Sequence, residues 1–176
     1  MSQENIRIYY ENEDDRAFGL AGMAVTIASL DAIDRIAEIW LDSDGPMVSF
    51  SNDYYFSGSP SISPRVAWEN LINNFNLTVS MAVGNVMARS LVRLGREIPA
   101  EVMDSLRRAV VEEGMDSCSL EEDEVDALLS RSLMRANRIF RNPRLHPAVK
   151  ALASVISRRR RLSGHELEDE LNLLQL

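Results

Sequence analysis

The run from Pro64 to Gly95 constrains this chain more than any other stretch. Trp68, Leu71/Ile72, Phe75, Val79, Ala82/Val83 and Val86 recur at steps of three and four, the spacing of one helix face. Leu77, Met81, Met87, Leu91 and Leu94 add apolar residues off that stripe, which makes this a spine helix enclosed by other helices. Pro64 suits the first helical position, with Ser63 as its cap. Ser80, Gly84 and Ala88 lie four apart and form a groove of small side chains. A matching series, Ala24, Ala28 and Ala32, belongs to a second long helix predicted from Asp14 to Leu41. The two are expected to pack antiparallel and close, small ridge against small ridge.

The remaining periodic segments are shorter. Pro99 to Glu113 reads as a third helix stopped by Gly114. Ser119-Leu-Glu-Glu122 is a capping box opening a fourth, which runs to Arg141. Pro147 opens a fifth, and Ser163-Gly-His-Glu166 caps a short last one. The chain therefore reads as all-α, a single domain over 1–176 built as a bundle of about six helices around two long antiparallel ones. Residues 1–12 form an N-terminal arm. Residues 47–63 form the longest stretch without helical period, with Met47–Phe50 as a brief strand and then a polar loop carrying Tyr54, Tyr55 and Phe56.

Charge is segregated along the chain. The net charge is −8, yet residues 112–130 hold 8 acids and no base, and residues 131–162 hold 10 bases and no acid. On the fourth helix Arg131, Arg135, Arg138 and Arg141 follow each other at three or four residues, so they share one face. Arg144, Lys150 and Arg158 to Arg161 extend the same sign, giving a basic face over 131–161. Such a face is either compensated by acids of the same chain or a second copy, or it serves a polyanion. Against nucleic acid stand the acidic total and the acidic starts of the helices that follow tight turns, Glu121–Glu124 and His165–Glu168.

Motifs that carry chemistry are not found. The two histidines, His146 and His165, have no metal-site spacing, and a single cysteine, Cys118, excludes an intrachain disulfide and a multi-cysteine zinc site. Cys118 sits in an acidic neighbourhood that disfavours a thiolate. There is no glycine-rich phosphate loop and no nucleophile elbow, so no catalytic, cofactor or metal residue is assigned. The apolar run Ala17–Leu30 is too short for a bilayer, and its acidic approach does not suit a secretory leader; a cytoplasmic, non-membrane protein is expected.

Three functional readings follow, in order. The first is a non-enzymatic protein–protein interaction or scaffold module that self-associates into a homo-oligomer, with Arg131, Arg135, Arg138, Arg141, Tyr54, Tyr55 and Phe56 as its contact residues. The second is a nucleic-acid-associated protein using the 131–161 basic face. The third is a small-molecule binder or enzyme with a pocket under the 47–63 loop, lined by the spine asparagines Asn70, Asn73, Asn74 and Asn76.

Overall fold

The computed structural model describes residues 9–51 and 64–176. Six helices carry the core: α1 (Glu13–Ala28), α2 (Pro64–Met87), α3 (Ala100–Cys118), α4 (Glu122–Phe140), α5 (His146–Arg159) and α6 (Gly164–Leu173). The fold is all-α, with α2 as the central helix. Its last turns, Ala88–Arg93, widen into a π-helix in which the Leu94 N–H reaches the Arg89 carbonyl at 3.2 Å. Val79, Val83, Val86, Met87 and Ala88 of this spine are buried among α1, α3 and α4. No described helix is long and apolar enough to cross a membrane.

The antiparallel packing of α1 on α2 is as expected, but a different set of small residues makes it. Asp15 meets Arg89 and Arg93, Gly19 faces Asn85, and Gly22 and Thr26 lie against Gly84. A Cβ on Gly22 would fall 2.6 Å from the Ala88 Cβ and closer still to the Gly84 carbonyl oxygen. A Cβ on Gly84 would fall 2.7 Å from the Gly22 oxygen. The two backbones therefore touch, and only glycine fits at the crossing. At 3.6 residues per turn Ala24 and Ala28 lie on the far side of α1 from this contact. Ser80 points elsewhere, its hydroxyl 3.0 Å from that of Ser132 on α4.

The expected first helix from Asp14 to Leu41 is corrected by the structure: α1 stops at Ala28. The Ser29 hydroxyl donates to the Thr26 carbonyl, Asp31 takes a left-handed conformation (φ 52°), and a short turn at Ile33–Arg35 leads into strand β1 (Ile36–Trp40). β1 is the middle of a small antiparallel sheet between β2 (Val48–Phe50) and β3 (Arg161–Ser163). Its pairing with β2 carries a bulge between Ile36 and Glu38. The bulge resets the alternation, so Ile36 and Ile39, three apart, are both buried. That is a helical spacing produced by a strand, which is why the periodicity misleads here. The brief strand expected at Met47–Phe50 is present as β2.

Two helix ends also differ from expectation. Gly114 does not stop α3; it sits inside the helix because a Cβ there would lie 2.6 Å from Val125 and 2.9 Å from Phe75. The helix runs four residues further, to Cys118, and Ser119 closes it in the left-handed region (φ 51°). Ser119 is thus a C-cap rather than an N-cap, and the capping box of α4 falls on Glu121 and Glu124 instead. The box predicted at Ser163 and Glu166 is present at the start of α6.

Candidate interaction surfaces

One polar cluster lies inside the molecule, where the π-turn passes α1. Asp15 is 1% exposed and accepts from the Glu11 N–H at 3.0 Å, from Arg89 Nε at 2.8 Å and from Arg93 Nη1 at 3.1 Å. Burial pushes its carboxyl up, but the Arg89 hydrogen bonds and the Glu11 N–H outweigh this and hold it below the usual carboxylate range. Asn85, wholly buried, donates to the Tyr10 hydroxyl at 2.8 Å, and Arg89 lies over the Tyr10 ring with 4.8 Å to its centroid. Arg89 also donates to the Tyr9 carbonyl and Arg93 to the Asn12 side chain. The cluster ties residues 9–12 across the α1–spine crossing. Its groups are satisfied within the chain, so it reads as a structural clamp.

Sequence reasoning missed this clamp. The available signal was Arg89 and Arg93, four residues apart in the largely apolar C-terminal half of the spine, with a carboxylate in the first turn of the helix expected to pack there.

The basic face predicted over 131–161 divides in two. Its C-terminal part is compensated inside the chain. Arg160 pairs with Asp42 and Glu13, Arg161 with Glu38, and Arg159 with Glu166 and Glu170. These contacts join α1, the sheet and α6, and Arg160 holds the Asp42 carboxyl below its ordinary range. Arg141 leaves the face as well; it grips Glu97 with both terminal nitrogens, at 2.8 and 2.6 Å, and donates to Asn137. The acids at the start of α4 are taken by Arg107 of α3, which reaches Glu122 at 2.8 Å and Asp126.

Arg131, Arg135 and Arg138 remain. No ion pair engages them among the described residues, and the same holds for Arg144, Lys150 and Arg158. The reason is geometric. The core side of α4 is set by Val125, Leu128, Leu129, Ser132, Ala136 and Phe140, and Arg107 approaches on the flank of Glu122 and Asp126. The three arginines lie on the opposite flank. Met134, 59% exposed, stands beside them on the outer surface.

Two other surface features accompany this ridge. The outward side of α3 carries Glu101, Asp104, Glu112 and Asp116, all exposed and without an ion-pair partner among the described residues, together with Met115 at 47% exposure. In the first turns of α2 the side chains are less covered: Phe75 is the first buried residue, and Val66, Trp68 and Leu71 are partly exposed. Tyr54, Tyr55 and Phe56, expected as contact residues, lie outside the described residues, as does the 52–63 part of the loop over the suggested asparagine pocket.

Burial, reinforced by Glu113, pushes the Cys118 thiol up to about 11, which leaves it a packing residue. Among the described residues no three His, Cys, Asp or Glu side chains come together as a metal-binding group. No protein-family model matches the chain, and no curated protein matches its sequence.

Proposed function

We propose that this chain is a helical protein-interaction module that acts by self-association. The observation that carries this reading is the ridge of Arg131, Arg135 and Arg138 beside exposed Met134. The chain pairs Arg141 and Arg159 to Arg161 with its own carboxylates and leaves these three outside, next to apolar surface. Arginine flanking an apolar contact is interface composition, because the guanidinium offers directed hydrogen bonds and its stem adds packing area. Sedimentation equilibrium over a concentration series tests it. An assembly larger than one chain is expected, and a single-chain mass at every concentration refutes it.

A second reading, binding of a nucleic acid, is favoured by the same unpaired guanidiniums together with Arg144, Lys150 and Arg158. Counterion release would then make affinity fall steeply with salt. Fluorescence anisotropy with mixed-sequence DNA and RNA across a salt series tests it, wild type against Arg131→Ala/Arg135→Ala/Arg138→Ala. No binding at low salt removes this reading.

A further inference from the structure

Tyr10 occupies a recess at the α1–spine crossing whose walls belong to other parts of the chain. The Arg89 guanidinium lies over its ring, 4.8 Å from the centroid, and that of Arg16 lies at 5.8 Å. Asn85, wholly buried, donates to its hydroxyl at 2.8 Å. Gly19 gives the ring its room, since a Cβ there would fall 2.9 Å from Tyr10 Cε1 and 2.6 Å from Asn85 Nδ2. Burial pushes the phenol pKa up, so the group held here is the neutral phenol.

The walls are fixed from behind. Arg16 donates to the Leu41 carbonyl at 3.1 Å, Arg89 is held by Asp15, and Asn85 also meets the Met23 sulfur at 3.5 Å. None of these contacts needs Tyr10, so the recess is preorganised. The arm is held differently. Among the described residues no backbone–backbone hydrogen bond joins residues 9–11 to the rest of the chain, and Tyr9 is 83% exposed. The backbone on either side of the ring is gripped by side chains, the Tyr9 carbonyl by Arg89 and the Glu11 N–H by Asp15. A segment held in this way opens locally at less cost than a helix or a strand, which must break a ladder.

We propose that residues 9–11 are a detachable strap, and that the recess is a binding site for a tyrosine side chain on an extended segment of another protein, filled in this chain by its own Tyr10. The buried Asn85 donor selects tyrosine over phenylalanine, because an apolar ring leaves that donor unpaired. The grips on the Tyr9 carbonyl and the Glu11 N–H flank the ring, so the site holds backbone as well as a phenol, which suits a peptide better than a small molecule. The strap lowers the affinity of a rival by the fraction of time that the recess stands open. This site is separate from the arginine ridge and does not depend on self-association.

The test follows thermal unfolding of the full chain, wild type and Tyr10→Ala, with phenol, with benzene and with an acetylated, amidated peptide of residues Tyr9 to Asn12. Phenol is the group that the substitution removes. At about ten times its Kd it is expected to raise the melting temperature of Tyr10→Ala by about 3–6 °C and to saturate, with a smaller rise in wild type and a smaller rise with benzene. The peptide is expected to saturate at a lower concentration than phenol. No rise, equal rises in wild type and variant, or a benzene effect equal to that of phenol overturns the site. A peptide no stronger than phenol overturns the assignment to an extended segment. Where Tyr10→Ala does not fold, amide hydrogen exchange of the wild-type chain decides. The Glu11 N–H is expected to exchange about tenfold or more faster than that of Leu20 inside α1, and faster again with either ligand. A Glu11 N–H as slow as that of Leu20, or unmoved by both ligands, overturns the proposal.

Discussion

Replacing Gly84 by alanine tests the backbone crossing on which the fold turns. In an ordinary helix interior this change stabilises by about 1 kcal/mol, because alanine has the better helix propensity. Here the new methyl would lie 2.7 Å from the Gly22 oxygen and nearer still to the Thr26 hydroxyl. Thr26 can rotate only by giving up its 2.8 Å hydrogen bond to the Gly22 carbonyl, and the Gly22 oxygen is backbone and cannot swing away. Relief therefore requires α1 and α2 to part by something near 1 Å, and a gap of that size forfeits about a quarter to a half of each contact well along the seam. Overpacking of this kind costs about 1–3 kcal/mol, occasionally more, and at this contact it exceeds the propensity gain.

A net loss of about 2 kcal/mol corresponds to a fall of about 4–8 °C in melting temperature for a chain of this size. Gly22→Ala is expected to behave alike, since its methyl would meet the Gly84 oxygen and the Ala88 Cβ. The double variant should cost less than the sum of the two, by about 0.5 kcal/mol or more, because one parting of the helices serves both methyls. Gly45→Ala, whose methyl meets only Ser43 Oγ at 3.8 Å, is the control and should leave the midpoint unchanged. Thermal unfolding by circular dichroism reads all four. Gly84→Ala and Gly22→Ala melting at or above wild type would show that the backbones do not touch, and the reasoning about the crossing would fail.

Asp15→Ala strands Arg89 and Arg93 at a buried site and should cost about 3–5 kcal/mol in urea unfolding; a loss below about 1 kcal/mol would mean that the clamp is solvated. The Asp15 carboxyl sits below its ordinary value in the folded chain, so its stabilisation is fully present above the unfolded-state carboxyl range and is lost as pH falls through the folded value. Asp15→Asn should therefore flatten the acid limb of a stability–pH curve, and an unchanged limb would count against the assignment. The Cys118 thiol, pushed to about 11 and buried, should resist iodoacetamide at pH 8 in the folded chain and react on unfolding; rapid native-state labelling would contradict this. Arg141→Ala removes a pair that stands in solvent, and the melting temperature should stay where it is.

Periodicity made the helical architecture legible because helices longer than about three turns repeat their apolar spacing often enough to be distinguished from chance. The spine, α4, α5 and the capping box of α6 fall where their spacing puts them. The exceptions share a cause: each depends on contact between segments distant in sequence. Ile36 and Ile39 keep a helical step only because β2 forces a bulge, and Gly114 continues a helix because Phe75 and Val125 need the room its missing side chain leaves. The small-residue groove was read correctly on the spine at Gly84 and Ala88 and wrongly on α1. There the alanines repeat four apart, whereas the residues in contact are Gly19, Gly22 and Thr26. Alanine is compatible with either side of a helix, and only glycine allows the backbone contact observed.

Charge posed a harder problem of the same kind. Along the sequence, Arg131 to Arg161 form one block of a single sign, and nothing local separates Arg160 from Arg138. In the fold, the chain returns at β3 beside the acidic start of α1 and the middle strand of the sheet, so Arg160 and Arg161 meet Glu13, Asp42 and Glu38. Arg138 sits on the other flank of α4 and makes no ion pair among the described residues. Topology thus sorts an undivided charge block into cement and surface. The same sorting acts on the acids: Glu122 and Asp126 are taken up by Arg107, while Glu112 and Asp116 stay outside. On the exterior of the hairpin α3 keeps unpaired acids along its length, Glu101, Asp104, Glu112 and Asp116, while α4 keeps three unpaired arginines towards its end.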